Sequence, residues 1–353
     1  MRGKGVTYDT GFINESGGIT RKTFDPGIVQ REMRIIREDL HCNAVRITGG
    51  NADRMETAAK YAADVGLEVW FCPFTCGLTM DELLSLIADC AERAERLRQQ
   101  GAEVVFLTGS ELSIFNIGFI PGATLAERFA LLSSPDRLRA ELTGISARIN
   151  NFLIKASAAV RERFGGKISY ASLPFEGVDW SLFDFVSTDA GYRSVEIADR
   201  FRNLIRGSVA QGKPLAITEF GCTTFRGAAN LGGRGDSIVE WDVEGRPVRL
   251  KGEFIRDEHE QAAYLRELLD IFREEGVDTV FVNTFARYDL PHRSDSRDDF
   301  DMASYGIVKV LENRPGHTYP DMPWEPKAAF TVVAEYYGDM TNGLDASHAD
   351  SRG

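Results

Sequence analysis

One phrase recurs along this chain: an amphipathic helical stretch, then a glycine, then at once a short β-branched or aromatic run. It stands at Gly66, Gly101, Gly212 and Gly276, where a glycine suits the left-handed end of a helix and the next run starts directly. With their less sharply marked counterparts, these runs place strands at 5–12, 44–48, 68–74, 104–108, 168–172, 185–188, 215–219 and 279–284. Helical patterns such as 81–100 and 258–275, with apolar residues every three or four positions, lie between them. Alternating strands and helices form parallel βα units, and eight such units close into a single (β/α)8 TIM barrel of the α/β class. Val104-Val105-Phe106-Leu107 and Val280-Phe281-Val282 are apolar without alternation, as expected of strands covered on both faces. One barrel domain is predicted over 1–340 and a polar, frayed tail over 341–353. Two stretches exceed a minimal barrel: 112–164, with a loop at Pro121 and Gly122 before a long helical region, and 226–251, Gly-rich and polar around Trp241. They follow the fourth and seventh strands, on the side where such barrels build their sites, so both read as enlarged, substrate-shaping loops.

Composition narrows the partners. A formal charge of -12, from 53 acidic residues against 41 Lys and Arg, argues against a broad phosphate-binding surface, and no nucleic-acid partner is expected. Met1-Arg2-Gly3-Lys4-Gly5 leads straight into a strand, and no apolar run is long enough to cross a bilayer, so no membrane partner and a cytoplasmic location are expected. Nothing in the sequence points to an oligomeric state. Five scattered cysteines do not form a disulfide framework. Cys72 and Cys76 are the close pair; without a second ligand pair they read as small core residues on one strand face rather than as zinc ligands. Of His41, His259, His292, His317 and His348 only His292 lies near a strand end, so neither a metal nor another cofactor is expected. The acidic run 289–301, with His292, Asp295, Asp298, Asp299 and Asp301, lacks calcium-loop spacing and reads as a solvated face or a substrate-recognition loop. Gly-rich 227–235 lacks the Gly-Lys-Ser/Thr ending of a phosphate loop.

Two glutamates carry the chemistry. Glu111 ends Val-Val-Phe-Leu-Thr-Gly-Ser-Glu after the fourth strand, and Glu219 closes Pro-Leu-Ala-Ile-Thr-Glu on the seventh. A carboxylate beside a buried apolar strand is costly to desolvate, so it has either a salt-bridge partner or a chemical task. Two at equivalent strand ends are the pair that glycoside cleavage requires.

Here the chain resembles glycoside hydrolase clan A, whose acid/base ends the fourth strand and whose nucleophile ends the seventh. Ile217-Thr218-Glu219-Phe220-Gly221 is similar to the clan's nucleophile strand, and Thr108-Gly109-Ser110-Glu111 to its acid/base segment, with Ser110 where most members carry an Asn. The resemblance implies a retaining glycosidase with Glu219 as nucleophile and Glu111 as acid/base, acting on an oligosaccharide or small glycoside. It further implies that Arg46 keeps the nucleophile ionised and that Tyr192, in Asp189-Ala190-Gly191-Tyr192, hydrogen-bonds it; the alternatives are a structural salt bridge and a core tyrosine. Phe285 and Tyr288 stand where many members place a Trp platform. Tyr8, Asp9 and Phe74 are candidate sugar contacts. The competing readings are a metal-dependent barrel hydrolase and a carbohydrate-binding barrel without catalysis.

Overall fold

The computed structural model describes residues 1–350, with side chains described to Met340. The tail expected over 341–353 therefore lies outside the residues whose side chains are described. Eight parallel strands form the central sheet: β1 (Gly3–Asp9), β2 (Ala44–Gly49), β3 (Glu68–Pro73), β4 (Val104–Ser110), β5 (Lys167–Ala171), β6 (Val186–Thr188), β7 (Leu215–Phe220) and β8 (Thr279–Val282). Their order is β5-β4-β3-β2-β1-β8-β7-β6. The ends meet through a parallel bridge between Ser172 and Thr188 and through the Asp184 N–H donating to the Ile168 carbonyl at 2.9 Å, which closes the barrel.

The helices are α1 (Pro26–Glu38), α2 (Ala52–Asp64) and α3 (Met80–Gln99), then α4 (Leu112–Phe115), α5 (Leu125–Leu132) and α6 (Pro135–Arg161) after β4, α7 (Ala198–Val209) after β6, α8 (Glu258–Glu274) after β7 and α9 (Ala328–Asp350) after β8. Their ends follow local chemistry. The Thr79 hydroxyl caps α3 in a reciprocal pair with Glu82, and Asp25 caps α1 just before Pro26. Gly66, Gly101, Gly212 and Gly276 all take positive φ, the conformation that lets a helix stop and a strand begin. Between β5 and β6 two 3₁₀ turns, Pro174–Glu176 and Trp180–Leu182, replace the helix.

The barrel interior changes character along its axis. Ala44, Trp70, Cys72, Val105, Leu107, Ala171, Phe185, Ala216 and Phe281 form a dry inner cluster, with the Trp70 ring 4.9 Å from Phe185 and 5.1 Å from Phe281. Gly5 on β1 makes room for this plug, since a Cβ there would stand 2.5 Å from the Phe281 ring. Toward the C-terminal ends the inward layer turns polar: Ser169 and Ser187 share a 2.7 Å hydrogen bond and Arg46 spans to β7. The helices pack on the outer face of the strands through Val6, Tyr8, Val29, Met33 and their neighbours.

Segment 226–251 forms 3₁₀ turns and a hairpin of Val239–Trp241 with Pro247–Leu250. A third insertion, 283–327, beyond the two expected from the sequence, carries the hairpin Val308–Val310 with Trp324–Pro326. Its acidic run is a solvated face at 294–298, with Asp295 and Asp298 exposed, but not at Asp299 and Asp301. Arg256 pairs with Asp299 at 3.0 Å and with Asp301 at 2.6 Å, Lys327 pairs with Asp301 at 2.8 Å, and His292 meets Asp299 at 2.9 Å. Asp299, Asp301 and Lys327 are buried, and such charges persist in a core because they neutralise one another. Cys76 also departs from expectation: it lies past the end of β3, half-buried, while Cys72 is buried on the strand.

Candidate active site

Glu111 follows a one-residue irregularity in its strand, and Glu219 lies within one. On β4, Leu107 pairs with Ser169 and Ser110 with Ala171, three residues against two. On β7, Ile217 pairs with Val280 and Phe220 with Val282, again three against two. An extra residue re-aims every side chain beyond it. Leu107 points into the barrel, and after the shift Ser110 does too; Ala216 points in, and after the shift Glu219 does, while Phe220 turns out to meet Phe272 of α8 at 5.1 Å.

Glu219 is held from both oxygens. Arg46 donates to Oε1 at 2.8 Å, and the Tyr192 hydroxyl and the Asn283 amide donate to Oε2 at 3.0 and 3.2 Å. Asn283 also donates to the Tyr192 oxygen at 2.6 Å, which fixes the hydroxyl proton toward Glu219. Arg46 is fully buried, and its other nitrogen donates to Ser110 Oγ at 2.8 Å, which in turn donates to Asp189 Oδ2 at 2.8 Å. The second Asp189 oxygen lies 3.6 Å from Arg46. One guanidinium therefore faces two carboxylates. Burial and the Asp189 charge push Glu219 up to about 7, while Arg46 and the Tyr192 hydroxyl pull it back.

Glu111 is placed differently. It opens α4 in the left-handed region, φ 47°, its N–H donating to the Ala171 carbonyl at 3.0 Å. A non-glycine residue in that region is strained by on the order of 1–2 kcal/mol and marks a place to look for function. Among the described residues no donor reaches its carboxyl. Burial raises it well above the usual carboxylate range; the negative charges of Asp189, Glu219 and Glu176 add to this and Arg46 opposes it. Both carboxyls are raised, and the hydrogen-bond donors that oppose the shift stand on Glu219.

Other expected residues fall elsewhere. Tyr8 is 1% exposed, points outward to α1, and bonds Glu32 and Arg21, so it is not a sugar contact. Phe285 is 1% exposed and packs edge-on against Trp324 at 5.3 Å, so it offers no platform. The Tyr288 hydroxyl is bound to Glu32 and its ring lies 4.3 Å under Arg21; it borders a separate pocket of about 510 Å³ with Thr20, Asp289 and Arg293. Ser110 is fully buried and supports Arg46 rather than touching substrate. Trp241 sits exposed on the outer hairpin, and no described contact brings it to the glutamates. Asp9 accepts from the Gly11 N–H at 2.9 Å and from the Thr20 hydroxyl, and its charge is felt by Arg287, itself paired with Asp289 at 2.7 Å. Phe74 lies half-buried just past β3.

Sequence reasoning passed over Asp189, Asn283 and Glu176. Asp189 and Asn283 each stand one residue past the end of a strand, a polar residue at the C-terminal face. Glu176 left no such signal: it is buried in the 3₁₀ turn after β5, accepts from Tyr170 at 2.9 Å and from the Leu173 N–H at 2.9 Å, and is pushed up to about 7 by burial.

The opposed charges of Asp189 and Arg46 beside Glu219 yield a test of sign. Asp189 raises Glu219, so Asp189→Asn is expected to move the acid limb of kcat/KM down by about one pH unit, and Arg46→Ala to move it up and cut kcat/KM by about 100-fold. pH–rate profiles of the two variants check this; an unshifted limb in Arg46→Ala would assign Arg46 to structure.

No family model matches the sequence, and no curated protein sequence matches it. Solved structures do. A GH113 β-1,4-mannanase aligns with TM-score 0.59 at 17% identity, over 96% of this chain and 99% of its own. A GH113 β-mannanase from Alicyclobacillus acidocaldarius aligns with TM-score 0.56 at 18% identity, over 96% and 97%. A GH2 β-galacturonidase from Eisenbergiella tayi aligns with TM-score 0.53 at 16% identity, over 96% of this chain and 51% of its own. At these identities the likeness is one of fold, and the chain has the (β/α)8 barrel on which these glycoside hydrolases are built.

Proposed function

We propose that this protein is a retaining glycoside hydrolase acting on an oligosaccharide or small glycoside. The observation that carries the reading is the contrast between the two carboxyls: Glu219 fixed by Arg46, Tyr192 and Asn283, and Glu111 without a donor among the described residues and raised by burial. Glu219 attacks the anomeric carbon as Glu111 protonates the departing oxygen. Water then cleaves the glycosyl-enzyme, with Glu111 taking its proton. Arg46 and Tyr192 keep the attacking carboxylate ionised and oriented. The same intermediate can pass its glycosyl group to an alcohol. Five free cysteines agree with action in a reducing cytoplasm.

The structural neighbours make β-1,4-linked manno-oligosaccharides the first substrates to try, beside aryl β-mannosides, β-glucosides and β-galactosides. Proton NMR of the first-formed sugar is expected to show the substrate's own anomeric configuration, and a chelator is expected to leave the rate unchanged. An inverted product would overturn the retaining mechanism. No turnover of the panel by folded protein would overturn the reading.

A further inference from the structure

Phe285 is buried and Tyr288 is bound to Glu32 and Arg21, yet the mouth is not without aromatic surface. β2 ends at Gly49, and Gly50 follows, so no side chains rise there. A Cβ on Gly49 would stand 2.2 Å from the Thr10 hydroxyl, so the gap is built in. Across it Phe12, after β1, meets Phe74, just past β3, with ring centroids 4.8 Å apart. Phe115 completes the triangle, 5.5 Å from Phe12 and 5.1 Å from Phe74 and nearly perpendicular to both. Phe129 of α5 stands 6.2 Å from Phe115 and is 44% exposed. Phe12, Phe74 and Phe115 are each only half-buried.

Two features separate this cluster from ordinary core. Its rings come from the segments that follow β1, β3 and β4, at the C-terminal face of the barrel where Glu111 and Glu219 lie. Phe115 also belongs to the turn that Glu111 opens, its N–H donating to the Glu111 carbonyl at 3.3 Å. Phenylalanine offers no hydrogen-bonding group, so this surface recognises a flat ring that presents C–H bonds, through burial and through its π faces. The site around it is rich in carboxylates, which disfavours an acidic ring.

We infer that Phe12, Phe74 and Phe115 form a stacking subsite for a neutral ring on the leaving-group side of the scissile bond, either a sugar or an aryl group. The inference rests on Glu111 as the residue that protonates the leaving oxygen. Phe12→Leu and Phe115→Leu keep apolar volume and remove the flat face; their thermal midpoints are measured first, to show that both fold. Three substrates of one glycone are then compared: the glycosyl fluoride, whose leaving group has no ring, the 4-methylumbelliferyl glycoside, and the disaccharide. Each variant is expected to lose about tenfold in kcat/KM on the ring-bearing substrates, chiefly through KM, and no more than about twofold on the fluoride. Loss confined to the umbelliferyl arm assigns the subsite to aryl groups, and loss confined to the disaccharide assigns it to sugars. Equal loss on the fluoride, or no loss on any arm, overturns the inference. Binding is read separately by saturation-transfer NMR with 4-methylumbelliferone and methyl β-mannoside as probes, whose ring signals are expected with the wild type and lost in the variants. Ring binding without hydrolysis of any substrate would count against the glycosidase reading alone, whereas hydrolysis with no variant effect would count against the subsite alone.

Discussion

Glu219→Gly is expected to reduce turnover by at least about 10⁵-fold, roughly 7 kcal/mol of barrier, and azide is expected to restore part of it on activated glycosides. The substitution removes the atom that bonds to the sugar while leaving Arg46, Tyr192 and Asn283 around an emptied space. These donors hold Glu219 from both oxygens at 2.8, 3.0 and 3.2 Å, so the space is lined for an anion. Azide placed there attacks the anomeric carbon directly, and Glu111 still protonates the leaving oxygen. One displacement replaces two, so the glycosyl azide carries the inverted configuration. The product is identified by NMR. A retained azide, or restoration that does not depend on anion concentration, would remove Glu219 from the nucleophile's role. The variant should remain folded: it leaves Arg46 still facing Asp189, so the guanidinium is not stranded without an opposite charge.

The barrel was legible because a βα repeat writes itself into hydrophobic periodicity, and because glycine at a helix end is a backbone requirement rather than a preference. Glu219 was legible for a related reason: a charge closing Leu-Ala-Ile-Thr-Glu is too costly to bury idly, whereas Arg46 came from the resemblance to the clan's arginine. What failed was parity. Tyr8 and Phe285 stand on or beside strands covered on both faces, where inward and outward positions are equally apolar, so composition does not reveal which way a ring points. Tyr8 faces α1, where the buried Glu32 takes its hydroxyl. The irregularities in β4 and β7 compound this, since one extra residue reverses the side-chain alternation and Thr108-Gly109-Ser110 reads as plain strand. Glu176, which also accepts from the Ser113 N–H, and the Arg256–Asp301 pair depend on chain segments far apart in sequence, which no local pattern records.

Glu111→Ala carries the second large effect, and the size of that effect depends on the leaving group. General-acid assistance is worth about 10² to 10⁴ in rate, so glycosides with a poor leaving group should slow by that factor, while a 2,4-dinitrophenyl glycoside should still form the glycosyl-enzyme at near the wild-type rate. Hydrolysis of the intermediate then limits turnover, because no base activates water, and azide is expected to accelerate it and give a retained glycosyl azide. One anion thus gives opposite stereochemistry from the two variants, and the same configuration from both would mean that the roles are misassigned. The alkaline limb of the pH–rate profile should vanish as well, since in the wild type it reports loss of the Glu111 proton. Stability supplies an independent reading of the same carboxyl. Alanine keeps the positive φ at position 111, so strain is common to both proteins and the difference isolates the acid group. Glu111 is raised in the fold above its unfolded value, so its stabilising contribution is complete below the ordinary carboxylate range and is lost as pH rises toward the folded value. Glu111→Ala should therefore gain on the wild type as pH rises, by about 1.4 kcal/mol for each unit of upward shift traversed. Denaturant midpoints between acid and mildly alkaline pH measure this gain. A gap that stays constant with pH would mean that Glu111 is not held protonated, and the acid in the mechanism would then have to be sought elsewhere.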